Sequence, residues 1–502
     1  MEKEFYLEGI MQKIKKVLSI YQNSPASLKA GIWFTFCNLL LKGISLISLP
    51  LFTRMLSTGE YGMLTLYAST QPILVIIATW DLGYGAFQKG LFKYKEEEIG
   101  HLNGSTVLFC NIVTVIVYSI IFLAYDLVSR WLLFPRQLLF LLMLYTIFQP
   151  AYRNWTLQKQ KNYQYKPVVV TTLLISVGNV LGAYLAVRWV DRTADVKYGS
   201  ELLLFCVVTG IFWMGSLHIR QVFGNVERTL GHIKFIVGFQ APCVLHSLSL
   251  LVLGQADRLM IGHMVGKSQA AFYGIAYNLA SAITIFQSSL EVVMIPWRYR
   301  KLEGGYYDKI SRNSNTLLFF VGCFICLFIL VAPEAMVLLF TEEYQEAVWS
   351  IPPIALSVYF IFLYSIFTSI ETYYEKTKYI MYVSVGCSAL NIVLNYLLID
   401  LFGYIVCGYT TLFSYICFAI GHYYFMCRVC KEKIAGIPIF SAKKILVLSI
   451  FFTAFTVIVT IIYSYAFLRY LILLALILAV VIFRDRIRGY IEYVWKDVRK
   501  KE

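Results

Sequence analysis

Residues 314–340 read SNTLLFFVGCFICLFILVAPEAMVLLF, and Glu334 is the only charged side chain among them. A run of about 20 predominantly apolar residues is long enough to cross the hydrocarbon core of a bilayer as an α-helix. This stretch therefore predicts a membrane-spanning helix, and similar runs recur along the whole chain.

The composition agrees with a protein built from such helices. Of the 502 residues, 59% are hydrophobic and 15% are charged, whereas soluble domains average about 45–50% apolar and about 25% charged residues. We therefore exclude a soluble globular protein. Lys and Arg number 44 and Asp and Glu number 29, a net charge of +15. In a membrane protein this excess is expected on cytoplasmic loops and needs no nucleic acid to explain it.

Apolar runs bounded by polar clusters predict an all-α polytopic membrane protein with about fourteen spans. The runs cover residues 31–54, 61–85, 105–125, 137–152, 167–187, 201–219, 235–258, 270–296, 314–340, 351–372, 380–399, 404–425, 445–463 and 468–483. Before them, residues 5–21 have apolar side chains at helical spacing opposite Lys13 and Lys16. That pattern predicts an amphipathic helix on the membrane surface.

The distribution of basic residues predicts the orientation. If the N-terminus is cytoplasmic and the spans alternate, the inner segments carry 34 Lys and Arg residues and the outer segments carry 9. Positive charge is enriched on cytoplasmic loops. We therefore expect a multi-pass protein of the cell membrane with an even number of spans and both termini in the cytoplasm.

Identities at a constant offset of 212 residues indicate an internal repeat. They pair Tyr61-Gly62 with Tyr273-Gly274, Ala68-Ser69 with Ala280-Ser281, Lys166 with Lys378, Asn179 with Asn391, and Tyr184-Leu185 with Tyr396-Leu397. Because six spans separate the copies, the halves are predicted to be parallel repeats related by an axis along the membrane normal. The predicted domains are an amphipathic cytoplasmic segment (1–28), two pseudo-symmetric six-helix bundles (29–225 and 226–435), and two further helices with a basic cytoplasmic tail (436–502).

Cations inside spans are the first functional candidates. A charge near the bilayer centre costs about 2.5–3.5 kcal/mol and usually faces a water-filled cavity. Lys42 lies midway along the first span, and Arg258 lies in the seventh. In the repeat frame Arg258 corresponds to position 46, one helical turn from Lys42, so the two cations are expected to oppose each other across a cavity. Arg54 ends the first span and is a third candidate.

Acidic residues are expected nearer the cytoplasmic ends of the partner spans. Asp81 lies near that end of the second span, and Glu291, which corresponds to position 79, lies near that end of the eighth. These carboxylates, together with Asp257, could bind a coupling H⁺ or Na⁺, or gate the cavity by pairing with the cations.

Structural roles are the alternatives at each position. Lys42 could bind a helix carbonyl or pair with a carboxylate within the packing, and Arg258 could form a local pair with Asp257. Arg54 could be an interfacial anchor, and Asp81 and Glu291 could be ordinary interfacial carboxylates.

No enzyme motif is evident in the sequence. The six histidines are dispersed, and the two CxxC pairs lack further zinc ligands in register. No segment between spans is long enough to form a separate reaction site. The sequence therefore favours a transporter that is not an enzyme and holds no resident cofactor.

Residues 49–62, LPLFTRMLSTGEYG, followed by Asp81-Leu82-Gly83, resemble the opening of the Wzx-type lipid-linked oligosaccharide flippases. These form the polysaccharide transporter branch of the MOP superfamily. Asp257-Arg258, residues 273–277 (YGIAY) and residues 375–378 (EKTK) add similar support.

The resemblance implies a fourteen-helix inner-membrane protein that moves undecaprenyl-diphosphate-linked repeat units to the outer leaflet, for O antigen, capsule or exopolysaccharide biosynthesis. It implies that spans 1, 2, 7 and 8 surround the cavity. A pyrophosphate and acidic sugars would favour Lys42, Arg54 and Arg258 as binding cations, and the role of Lys42 rests on its depth in the span, not on the family pattern. Expected partners are the lipid-linked oligosaccharide, anionic membrane lipids, and a polysaccharide polymerase and glycosyltransferases, but no nucleic acid. Two alternatives stay open: a cation-coupled small-molecule exporter of the same superfamily and a membrane-embedded glycan polymerase.

Overall fold

The computed structural model describes residues 25–83, 85–217, 219–482, 484–485 and 488–489. The predicted amphipathic helix over residues 5–21 and most of the basic tail lie outside the described residues. The described residues are 89% helical and contain no strand. The prediction of an all-α protein is thereby confirmed.

Eighteen α-helices and one 3-10 helix follow one another along the described chain. They are α1 (Ala26–Thr53), α2 (Thr58–Thr79), α3 (Ala86–Lys93), α4 (Glu96–Leu123), α5 (Tyr125–Leu132), α6 (Arg136–Lys161), α7 (Tyr165–Trp189), α8 (Ala194–Ser216), α9 (Ile219–Gly224), α10 (Val226–Met264), α11 (Lys267–Ser281), α12 (Ile283–Glu303), α13 (Tyr307–Leu339), the 3-10 helix (Glu342–Ser350), α14 (Ile351–Tyr373), α15 (Thr377–Phe402), α16 (Val406–Lys433), α17 (Ala442–Ile461) and α18 (Ala466–Ile482).

Eleven segments of the described chain are long and apolar enough to cross a membrane, and a twelfth is added if α5 and α6, bent by 84°, form one span. The chain is therefore a polytopic membrane protein, but the predicted count of fourteen is not confirmed. The two other predicted spans fall on α16 and α18. Helix α18 is 17 residues long, and α16 carries buried polar residues, including Thr410, Ser414 and His422, on the side that packs within the protein.

Two groups of helices form the body of the protein, and we call them the N-terminal half (α1–α8) and the C-terminal half (α10–α16). In the N-terminal half, α8 packs against α6 and α7, and α7 packs against α1. In the C-terminal half, α16 packs against α14 and α15. Helices α17 and α18 pack against α13.

Helix α10 connects the halves along its length. Near its start, Thr229 hydrogen-bonds His101 of α4 at 2.8 Å, and Gln240 accepts a hydrogen bond from the backbone N–H of Ala86 at 3.2 Å. Farther along, His246 hydrogen-bonds Ser384 of α15 at 2.9 Å. The first part of α10 is thus bound to the N-terminal half and the later part to the C-terminal half.

The halves meet most closely where α2 crosses α11, at the predicted outer end. The hydroxyl oxygens of Thr58 and Ser268 are 3.1 Å apart. A Cβ added to Gly62 would lie 1.9 Å from the carbonyl oxygen of Lys267, and one added to Gly274 would lie 2.6 Å from a methyl carbon of Thr65. Gly62 and Gly274, which the predicted repeat pairs, therefore allow the two helices to touch, as small residues do between membrane helices.

Candidate functional site

Helix α1 carries an exposed polar stripe formed by Thr35, Asn38, Lys42 and Ser45. These residues recur every three or four positions, so they share one face of the helix. A second exposed face is apolar and includes Ile32, Phe36, Leu39 and Ile47. Lys42 makes no hydrogen bond or ion pair with any described residue. An isolated cation on a polar face suits a water-filled cleft, whereas the apolar face suits lipid.

The polar stripe ends at the closed contact between the halves. One turn beyond Ser45, Leu49 lies on the same face and is buried, as is Thr53 at the end of the helix. Helix α1 also contacts α11 and α12 of the C-terminal half. Lys42 is therefore placed on a helix that borders both halves.

Arg258 lies inside the C-terminal half, whereas Lys42 is exposed. The Arg258 side chain is 7% exposed, and its guanidinium carbon lies 3.9 Å from the centre of the Tyr277 ring. One terminal nitrogen donates a hydrogen bond to Gln255, and its Nε has no hydrogen-bond partner among the described residues. Arg54 is exposed and directly follows α1 at the predicted outer end.

Asp257 is buried in a fully hydrogen-bonded polar cluster. Its carboxylate accepts hydrogen bonds from Tyr273 at 2.7 Å, Asn395 at 2.6 Å and Thr411 at 2.5 Å. These donors come from α11, α15 and α16, so the carboxylate joins three helices to α10. No Lys or Arg among the described residues forms a salt bridge with it. The three hydrogen bonds satisfy the buried carboxylate and fix its position where the four helices meet.

Asp81 is paired with Arg153, a residue that the sequence did not single out. Nη1 of Arg153 lies 2.6 Å from Oδ1 of Asp81. Trp80 and Asp81 both have a left-handed backbone conformation, which ends α2. A Cβ added to Gly83 would lie 2.8 Å from the Arg153 side chain. The residues 81–83 therefore form a turn shaped around Arg153. The predicted end of the fourth span, at residue 152, concealed this arginine, because α6 continues to Lys161.

Glu291 is likewise paired, with Arg298. The two side chains approach to 3.1 Å, and Ser365 of α14 donates a hydrogen bond to Glu291 at 2.7 Å. Arg298 also donates to Ser369 at 2.9 Å and its side chain is 1% exposed. It lies two turns after Glu291 on α12, beyond the predicted span end at Pro296. Both carboxylates predicted near the cytoplasmic ends are thus held by arginines of their own half.

A further buried acid–base pair joins α14 to α16. Nδ1 of His422 is 3.1 Å from both carboxylate oxygens of Glu371, and neither side chain is exposed. The sequence gives no sign of this pair, because the two residues are 51 positions apart and belong to different predicted spans. Elsewhere in the described residues, no group of three or more His, Cys, Asp or Glu side chains is arranged to hold a metal ion.

Comparison with known proteins gives matches over most of the chain. A family model described as polysaccharide biosynthesis protein matches residues 27–300, and a second, described as MatE, matches residues 242–397. Protein 1 of the Lsg locus of Haemophilus influenzae is 23% identical over 267 residues, which cover 52% of this chain and 63% of that protein. A membrane protein of Methanocaldococcus jannaschii is 23% identical over 284 residues, which cover 49% of this chain and 66% of that protein. The chain spans less than two thirds of the length of either relative.

Solved structures that are similar to most of the chain include a flippase and a transporter. The lipid II flippase MurJ in an inward closed conformation has a TM-score of 0.68 at 14% identity, over 91% of this chain and all of that one. An inward-facing multidrug resistance MATE family transporter of the MOP superfamily has a TM-score of 0.55 at 13% identity, over 80% of this chain and 96% of that one. At these identities the likeness establishes the fold.

Proposed function

Since this chain belongs to the polysaccharide biosynthesis protein family and has the fold of the MOP superfamily transporters, we propose that it translocates undecaprenyl-diphosphate-linked oligosaccharide repeat units across the cytoplasmic membrane. The translocated repeat units would be used in O antigen, capsule or exopolysaccharide biosynthesis. Both termini would lie in the cytoplasm, as the distribution of basic residues predicts.

The observation that carries this proposal is the exposed Lys42 in the middle of a spanning helix. Its insertion cost of about 2.5–3.5 kcal/mol requires a compensating function. A diphosphate presents oxygens that a lysine binds as a charge-assisted partner. In this proposal Lys42 binds the diphosphate first, Arg54 receives it at the outer end, and the buried Arg258 contributes from the opposite half after rearrangement.

Alternating access would follow from movement of one six-helix half against the other. The contact between α2 and α11 would open at the outer end, and α10 would bend because each part of it is bound to a different half. At the inner end, Arg153 of α6 holds Asp81 after the end of α2, and the Glu291–Arg298 pair of α12 is hydrogen-bonded to α14. In this proposal the two carboxylates gate the inner end, and these contacts keep each half rigid during the movement.

Asp257 would bind the coupling cation, either H⁺ or Na⁺. Replacing it with Asn should leave the cluster neutral and abolish the effect of a proton or sodium gradient on the transport rate. Measuring transport into vesicles with and without each gradient tests this. Transport by Asp257→Asn that still accelerates with the same gradient would exclude Asp257 as the coupling site. Asp400→Asn is the matched control, because Asp400 lies in α15 outside the cluster and is exposed.

A cation-coupled small-molecule exporter is the second candidate. The match of residues 242–397 to the MatE family model and the MATE-like fold favour it. A glycan polymerase has no such support, since both structural relatives are a flippase or a transporter by description.

Reconstituted vesicles separate these functions. Vesicles that contain the protein should translocate a pyrophosphate-linked glycolipid without changing its covalent structure, and Lys42→Ala should lose at least ten-fold in rate while Lys42→Arg retains most of it. Ile47→Ala, on the apolar face of the same helix, is the matched control and should be unaffected. Export of a small-molecule cation without glycolipid movement would favour the exporter, and a longer glycan would favour the polymerase.

A further inference from the structure

A cavity of about 340 Å³ lies inside the N-terminal half, where α1, α2, α6, α7 and α8 meet. Ligand sites in proteins occupy about 300–1,000 Å³. The cavity therefore has room for one small unit of a substrate, although not for a whole oligosaccharide.

The wall of the cavity offers hydroxyl and amide groups. Tyr198 donates a hydrogen bond to the side-chain oxygen of Gln71 at 2.7 Å, and the hydroxyl oxygens of Tyr152 and Thr172 are 3.0 Å apart. The side-chain oxygen of Asn179 is buried and accepts no hydrogen bond from any described residue. A buried amide oxygen without a donor is costly, so it favours a ligand that supplies a hydroxyl or N–H group.

The charge of the wall is balanced. Glu201 lines the cavity, but both of its carboxylate oxygens lie within 2.9 Å of the Lys197 ammonium group. A carboxylate that is already paired in this way has little attraction left for a cation, and it repels a phosphate. The cavity thus suits a neutral ligand.

The internal repeat gives an independent reason for the same assignment. Asn179 corresponds to Asn391, which hydrogen-bonds Thr411 in the Asp257 cluster at 3.4 Å. The position that corresponds to Asp257 is Ser45, so the N-terminal half has no carboxylate there. In the C-terminal half Asn391 belongs to the cluster around Asp257, whereas in the N-terminal half Asn179 lines a cavity whose carboxylate, Glu201, is paired with Lys197.

From these contacts, and resting on the proposed function, we infer that the cavity binds the first sugar unit of the lipid-linked glycan. Sugar rings present C–H faces, which pack on aromatic rings, and hydroxyl edges, which bond to amides and hydroxyls. Tyr145, Tyr152 and Phe205 supply the rings, with Tyr145 and Phe205 centred 4.3 Å apart. Gln71 and Asn179 supply the amides.

The cavity lies next to the proposed diphosphate site on α1. Leu41 lines the cavity, and the next residue is Lys42 on the polar stripe. Successive residues of a helix project about 100° apart, so the cavity and Lys42 lie on adjacent faces of α1. The first sugar is joined directly to the diphosphate, and in this proposal it extends from Lys42 around α1 into the cavity. The attached lipid and the later sugars would remain outside the cavity.

Photo-crosslinking tests this inference. A photoreactive amino acid replaces Ser176, which lines the cavity, or Leu174, which is 68% exposed on the same helix. The probes are undecaprenyl diphosphate that carries one radiolabelled N-acetylhexosamine and radiolabelled undecaprenyl diphosphate alone. We expect crosslinking at position 176 with the sugar-bearing probe only, and none at position 174. Asn179→Leu should weaken crosslinking at position 176 about five-fold, the effect of losing one neutral hydrogen bond.

A third crosslinking position, Ser45, separates failure of the inference from failure of the proposed function. Crosslinking of the sugar-bearing probe at position 45 but not at 176 would overturn the sugar subsite while retaining the flippase. Crosslinking at neither position would overturn both. Equal crosslinking of both probes at position 176 would mean that the cavity holds lipid or diphosphate, and would also overturn the subsite.

Discussion

At the scale of single residues, the contact between the halves depends on Gly62, because a glycine has no side chain. Gly62 lies against the backbone carbonyl of Lys267, which cannot move without moving α11, whereas the space around Gly59 is open. Gly274 faces the side chain of Thr65 instead, which has some freedom to adjust. The two repeat-related glycines are therefore not equivalent in what they tolerate.

Gly62→Ala should destabilise the closed outer end by about 2 kcal/mol, because overpacking of a close contact costs about 1–3 kcal/mol. Thermal unfolding in detergent measures the loss of stability. The control is Gly59→Ala, whose methyl group meets nothing, and which should be neutral or slightly stabilising through helix propensity. Equal thermal stability of the two variants would show that α2 and α11 have room for a methyl group at position 62.

At the scale of elements, α2 and the pair α11–α12 separate after they cross. Helix α11 packs against α2, while α12 packs against α13 and α14. The break between α11 and α12 falls at Ala282, between Ser281 and Ile283. Beyond it, Asp81 and Glu291 are bound by arginines within their own halves. The helices are therefore in contact at the outer end, and at the other end each carboxylate is bound within its own half.

A disulfide between Thr58→Cys and Ser268→Cys should form readily, because the two hydroxyl oxygens are 3.1 Å apart. By locking α2 to α11 it should stop transport, and a reductant should restore it. Each single-cysteine variant, treated with the same oxidant, controls for the eleven native cysteines. Transport at the full rate with the disulfide in place would contradict opening at this contact.

At the scale of the whole molecule, the two halves share a helical pattern but differ in their interiors. The C-terminal half contains Asp257 and the Glu371–His422 pair, whereas the N-terminal half contains a cavity with a neutralised carboxylate. This difference is the basis of the two proposals above, which assign cation coupling to the C-terminal half and sugar binding to the N-terminal half.

The predicted orientation places Arg192 outside and Lys95 inside. Both residues are exposed at helix ends. A membrane-impermeant maleimide added to intact cells or spheroplasts should therefore label Arg192→Cys, and should label Lys95→Cys only after the membrane is permeabilised. The unmodified protein gives the background from its native cysteines. The reverse pattern would invert the topology and with it the direction assigned to each gate.

Hydropathy and motifs along the chain were enough to predict the polytopic helical class and the family, both of which are confirmed; the repeat and the cation site on α1 stay predictions. These depend on hydropathy, charge and spacing, which are local properties of a chain. The sequence did not show the number of helices that meet the length and hydropathy requirements of a span, because α16 directs polar residues into the protein. It also missed Arg153, Arg298 and the Glu371–His422 pair.

The packing of the helices fixes which charges are neutralised and where a cavity remains. Asp81, Asp257 and Glu291 look alike in sequence, yet two are paired with arginines and one is held by three neutral donors. The cavity beside Lys42 has no signature along the chain, because it arises where side chains from five helices fail to fill the volume between them. Such features depend on contacts between residues far apart in sequence, and these exist only once the helices have packed.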